Sequence, residues 1–162
     1  MIKKQLTSEI EIYDDISELD KDTQELMKKS LEARKKAYAP YSHFLVGAAL
    51  LLDNEEVVLG SNQENASYPS GLCAERTAIY WAGANYPENK ILKIAISASS
   101  VKKKNDQPIP PCGACRQAIA EYEQKQNHPI EIYFMGLEGK VVKVSSLADI
   151  LPLAFENKYL EL

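Results

Sequence analysis

Apolar positions in this chain switch between two periods, and the switches mark its elements. From Asp20 to Tyr38, the residues Leu26, Met27, Leu31, Ala33, Ala37 and Tyr38 recur at helical spacing with Lys and Glu between them. Pro40 is expected to stop that helix. Phe44 to Leu52 is a near-continuous apolar run, Asp53-Asn54 a turn and Val57 to Ser61 the return, a pattern that predicts a hairpin. A second helix is expected from Cys73 to Ala84, and a buried β-branched strand from Ile91 to Ala98. A loop carrying three consecutive lysines follows. Pro110-Pro111 is then expected to open a helix running to about Gln126. Ile130 to Met135 and Val141 to Val144 read as two strands around a Leu137-Glu138-Gly139 turn, with a short helix near Ser146 to Leu151. The order implies an α/β fold of three layers, α/β/α, around a mixed five-stranded sheet. Residues 1–19 read as an extension, irregular apart from the edge-like alternation of Glu9 to Ile12, and 20–162 as one domain.

Composition narrows the function classes. At 162 residues, 45% hydrophobic and 26% charged, the chain is an ordinary globular sequence. Its net charge of -4 offers no bulk attraction for nucleic acid or an anionic membrane. Neither a secretory signal nor a membrane-spanning run is visible, so a cytoplasmic location with reduced thiols is expected. The lysine run is read as a solvated loop.

Three cysteines make an odd set, which favours metal or catalysis over disulfides. Cys112-Gly113-Ala114-Cys115 has the C-x-x-C spacing that lets two thiolates grip one ion at a helix start, and Cys73 supplies a third from another helix start. Three protein ligands leave a position for water, as catalytic zinc sites do. His43 and His128 have no ligand-like spacing to the cysteines; His43 is expected to be an exposed residue at a strand start. Three negative ligands weaken the acidifying power of zinc. Helix N-termini at Cys73 and Cys112, and Arg76 one turn beyond Cys73, are the counterweights. Glu75, two residues past Cys73, is placed to move protons beside the metal. Alone, it would be read as a first-turn glutamate favoured by the helix dipole.

Taken together, Tyr41-Ser42-His43-Phe44-Leu45-Val46-Gly47-Ala48-Ala49, Asn62-Gln63-Glu64-Asn65-Ala66, Cys73-Ala74-Glu75-Arg76-Thr77-Ala78, Pro111-Cys112-Gly113-Ala114-Cys115-Arg116-Gln117 and Leu151-Pro152-Leu153-Ala154-Phe155 resemble, in order, the segments of the cytidine deaminases of pyrimidine salvage. The Glu and P-C-x-x-C part matches the zinc-deaminase signature itself. The resemblance implies the cytidine-deaminase-like fold and one zinc ion per subunit on Cys73, Cys112 and Cys115, with Glu75 as proton shuttle. It implies that Asn62 and Glu64 hold the ribose, Glu64 taking the 3'-hydroxyl, and that Phe44 and Ala74 contact the nucleoside. It further implies a homotetramer in which Phe155 reaches a neighbouring subunit's pocket, with Tyr68 at the shared boundary. The extension and the enlarged 101–107 loop depart from the family pattern, as does Ile109-Pro110 where a serine often stands before Pro111.

The expected reaction is attack of activated water at C4 of cytidine, and of 2'-deoxycytidine, with Glu75 protonating N3 and then the departing ammonia. Deamination of an aminoacylnucleoside antibiotic would not need the Asn62-x-Glu64 pair. Editing of a nucleic-acid strand would want a basic face with aromatic platforms, and a polymer has no free 3'-hydroxyl at its target. A zinc-stabilised scaffold would not need Glu75.

Overall fold

The computed structural model describes residues 1–160. Its strands are β1 (Glu11–Tyr13), β2 (Phe44–Leu52), β3 (Val57–Ser61), β4 (Ile91–Ser100), β5 (Glu131–Met135) and β6 (Val141–Val144). Its α-helices are α1 (Lys21–Arg34), α2 (Ala74–Asn85) and α3 (Gly113–Gln126). The strands form one mixed sheet in the order β1-β6-β5-β4-β2-β3. Only β4 and β5 run parallel, and α3 makes the crossover between them.

Alternation along the strands divides the core into two layers. Ala48, Leu50 and Leu52 of β2, with Ile94 and Ile96 of β4, pack against Ile79 of α2 and Ile119 of α3. Ala49 and Ala95 face the other way, onto Leu26 and Met27 of α1. Two glycines let the helices close on the sheet from opposite sides. A Cβ at Gly47 would collide with the α1 backbone at Ser30 and Arg34, and one at Gly60 with the α2 backbone at Ala74 and Ala78. The three expected layers are present.

Four expectations need correction. The sheet has six strands, not five: Glu11, Ile12 and Tyr13 of the extension pair with Lys143, Val142 and Val141. The extension also carries a 3-10 turn at Ile16–Glu18. α1 ends at Arg34, well before Pro40, because the Tyr38 N–H donates to the Asn62 carbonyl and the Tyr38 carbonyl accepts from Glu64 N–H. Those bonds pull the chain out of the helix. Pro110-Pro111 precede α3 instead of opening it, since Cys112 takes the N-cap and Arg116 Nε holds the Pro111 carbonyl at 2.9 Å. The segment after Ser146 is a single 3-10 turn, Leu147–Asp149, capped by the Ser146 hydroxyl. The remaining elements match the expectations to within two residues.

Candidate active site

The N-termini of α2 and α3 meet at one end of the sheet, each capped by a cysteine. Cys73 and Cys112 occupy the N-cap positions, and Cys115 lies one turn into α3, fully buried. The Cys73 and Cys112 sulfurs are 3.8 Å apart, those of Cys112 and Cys115 3.5 Å, and all three lie within 4.8 Å of one another. A disulfide would need about 2.05 Å, whereas sulfurs at about 2.3 Å from a tetrahedral zinc are about 3.8 Å apart. Soft donors at that separation, occupying three corners, suit zinc. Among the described residues this is the only cluster of three or more metal-ligating side chains. His43 does not join it and is half-buried, not exposed, with a left-handed backbone at φ 57°.

Thiols this close cannot titrate independently. Cys73 is drawn down to about 5, first by the bond from Cys115 and then by Arg76 and Cys112. Cys115 is pushed up, chiefly by Cys73 and then by burial. Arg76 places Nη2 3.6 Å from the Cys73 sulfur, and its Nε is buried without a partner. It is therefore part of the cysteine cluster and not a solvated charge on the face of α2. Glu75 is 4% exposed in the first turn of α2. Burial pushes its carboxyl up, and the Cys73 charge adds to the push.

The cluster opens into a cavity of about 660 Å³. Phe44 and Val46 of β2, with Ile96 and Ala98 of β4, give it an apolar wall; Ile109 and Pro110 line it near Cys112. Asn62 and Glu64 line it beyond the end of β3. Asn62 Oδ1 accepts from Val46 N–H at 2.8 Å, while its Nδ2 donates to the Phe44 carbonyl at 2.9 Å. The amide thus extends the sheet as a peptide group would. Glu64 accepts from the N–H groups of Tyr41 (2.9 Å) and Ser42 (3.2 Å) and from the Ser42 hydroxyl. That hydroxyl comes first among the causes that hold its carboxyl below the usual range.

Two of the expected contacts lie outside this cavity. Ala74 is fully buried beneath Gly60 and does not line it. Phe155 is 58% exposed, stacks on Tyr159 at 5.9 Å and does not reach the chain's own cavity. Tyr68, 77% exposed, stands at the rim beside Tyr41, with ring centroids 6.2 Å apart. Sequence reasoning missed the residues that hold this end together. Arg116 ties α3 to the tail through the Ile150 carbonyl (2.7 Å), and Gln117 donates to the Phe155 carbonyl (2.9 Å). Both stand in the 111–117 segment that resembles the family, but no pattern along the chain assigned them a role.

Comparison with known proteins gives one family. The family model described as the cytidine and deoxycytidylate deaminase zinc-binding region matches residues 20–128. A cytidine deaminase of Halalkalibacterium halodurans is 42% identical over 134 residues, spanning 83% of this chain and 94% of that protein. The crystal structure of cytidine deaminase from Burkholderia pseudomallei superposes with a TM-score of 0.71 at 40% identity, covering 85% of this chain and 100% of that one. That from Mycobacterium tuberculosis gives 0.65 at 33% identity, covering 85% and 99%.

Proposed function

The chain belongs to the cytidine and deoxycytidylate deaminase family, and on that footing we propose that it hydrolyses cytidine, and 2'-deoxycytidine, to the uracil nucleoside and ammonia. The observation that carries this reading is the three-sulfur cluster with a buried carboxylate beside it at one end of an apolar-walled cavity. The chain is a zinc-dependent hydrolase, with one ion per subunit held by Cys73, Cys112 and Cys115. When bound, zinc supplies a Lewis acid that makes water a nucleophile near neutral pH.

The protein's own groups do the rest. Glu75, two residues from Cys73, carries one proton from the attacking water to ring N3 and a second, from the hydroxyl so formed at C4, to the amine that departs as ammonia. Arg76 draws charge from the Cys73 sulfur, which offsets part of the negative charge that three thiolates bring to the metal site. Phe44, which lines the cavity, packs on the nucleoside. Asn62 has already given one Nδ2 hydrogen to Phe44, leaving the second for a sugar oxygen. Glu64, an acceptor only when ionised, takes the 3'-hydroxyl.

The exposed positions of Phe155, Tyr159 and Tyr68 support a homotetramer in which Phe155 enters a neighbouring subunit's cavity. Residues 20–162 form the deaminase domain, with 1–19 an extension of it. Among the described residues no helix is long and apolar enough to cross a membrane. The need for reduced thiols favours the cytoplasm, and a role in pyrimidine salvage follows from the nucleoside substrate. The acidic balance and Glu64 at the sugar position both argue against a nucleic-acid strand as substrate.

The test is direct. Protein carrying one equivalent of zinc is expected to release uridine and ammonia from cytidine, to lose that activity to a chelator and to regain it with added zinc. Full turnover by metal-free protein, or no uridine from the zinc-loaded form, overturns the reading.

A further inference from the structure

We propose that Ser42 is a positioning residue for sugar recognition, holding the Glu64 carboxylate at the angle that receives the nucleoside 3'-hydroxyl; this rests on the reading of Glu64 given above. Glu64 lies beyond the last residue of β3, where a long side chain would otherwise sample many rotamers. Three donors from one short turn remove that freedom. The N–H groups of Tyr41 and Ser42 converge on Oε2, and the Ser42 hydroxyl sits on Oε1.

The direction of the hydroxyl bond is set by its other partner. Ser42 Oγ accepts from the Phe44 N–H at 3.0 Å, so its own hydrogen is left for Glu64. The turn is shaped for this task. His43 sits at φ 57° and donates its N–H to the Ala39 carbonyl at 3.1 Å. A left-handed conformation is uncommon for a histidine and carries a modest strain. It lets the chain reverse between Pro40 and β2 while Tyr41 and Ser42 present their N–H groups to the same carboxylate. A carboxylate offers about four acceptor positions. Three are taken by the turn, so what remains for a ligand is restricted to the side of Glu64 that lines the cavity. Phe44, which follows His43, lines the same cavity. One hydroxyl therefore couples the carboxylate to the first residue of β2.

A purely local role, capping the start of β2, predicts a different result from a role in recognition. The experiment compares kcat/KM for cytidine with kcat/KM for 3'-deoxycytidine in the zinc-loaded wild type, Ser42→Ala and Ser42→Thr, with zinc content and melting temperature as controls. The wild type is expected to prefer cytidine. Ser42→Ala is expected to reduce that preference about tenfold, the loss associated with one charge-assisted hydrogen bond, with zinc content unchanged. Ser42→Thr keeps the hydroxyl and restores the preference. In a Glu64→Gln background, Ser42→Ala is expected to change it by less than twofold. If Ser42→Ala weakens both substrates equally, or leaves the preference intact, Ser42 is only a turn residue and the proposal is overturned. A wild type indifferent to the 3'-hydroxyl removes the Glu64 role first, and Ser42's with it.

Discussion

Where the N-termini of α2 and α3 meet, three thiols, a buried carboxylate and one guanidinium gather at a cavity; across the sheet from β4 out to the β1 edge, charged side chains alternate in sign. The second arrangement can be followed residue by residue. Asp20 lies 3.4 Å from Lys93, Lys93 3.7 Å from Glu131, Glu131 3.6 Å from Lys143, and Lys143 2.8 Å from Glu11. Two of these contacts are direct cross-strand partners, Lys93 with Glu131 and Glu11 with Lys143. Every charge there has an opposite neighbour. The cavity end lacks that balance: Glu75 is buried without a cation of its own, Arg76 Nε lacks a partner and His43 holds a left-handed backbone. Charges are paired along the part of the sheet that only has to fold, and left unbalanced where the chain has to react.

Exchanging Glu75 for glutamine gives the largest effect expected from this contrast. Turnover of cytidine should fall by roughly 10² to 10⁴, with zinc content unchanged because the carboxylate is not a ligand. Since burial already disfavours the charged form of this carboxyl and glutamine is a neutral side chain of the same shape, the melting temperature should stay the same or rise. A variant that keeps wild-type turnover, or that melts well below wild type, would contradict the division of roles between the two ends.

The far edge should behave in the opposite way. Asp20 caps α1, accepting from Thr23 N–H at 2.9 Å and Thr23 Oγ1 at 2.6 Å. Asp20→Ala should cost about 1 kcal/mol of stability and leave kcat/KM alone. The Thr23 hydroxyl is the main cause of its lowered pKa. As pH falls, the unfolded chain therefore takes up this proton before the folded one does. The capping contribution is complete above the ordinary aspartate value of about 3.9 and disappears as pH drops through the lower folded value. Denaturation of wild type and Asp20→Ala across acid pH should converge accordingly; curves that stay parallel would remove the cap's electrostatic part.

The smallest effect belongs to the strand that the extension adds. Glu11→Lys sets two lysines against each other at the β1–β6 pair and should cost about 0.5 kcal/mol, because Glu11 is largely exposed and solvent screens the pair. The exchange Glu11→Lys with Lys143→Glu should recover most of it. Failure of the double exchange to do so would mean that backbone pairing alone docks β1.

Much of this molecule was legible along the chain because its information is local. The period of Leu26, Met27 and Ala33 identifies α1, the alternation in β2 and β4 identifies buried strands, and the C-x-x-C pair needs only three residues to bring two sulfurs together. The turn at Gly139, with φ 87°, is equally local. What escaped depends on distant partners. The edge-like alternation of Glu9 to Ile12 hinted at β1, but at three residues it is too short for periodicity to say what it pairs with; it exists because β6 offers unpaired backbone groups. The early end of α1 depends on Asn62 and Glu64, more than twenty residues away.

By itself, then, the sequence determined the helices, the strands, the pairing of Cys112 with Cys115 and the residue types of the chemistry, since each follows from neighbours within a turn or two. The sequence also named Cys73 and Glu75 for the site, but only the tertiary structure decided how closely the Cys73 sulfur approaches that pair, that Glu75 is buried, and that a turn at Tyr41 and Ser42 holds Glu64. These are meetings of segments about 20 to 40 residues apart, made when two helix N-termini and two strand ends pack against the same sheet. No short-range pattern encodes them, because their geometry is set by how closely the helices approach the sheet, which Gly47 and Gly60 permit.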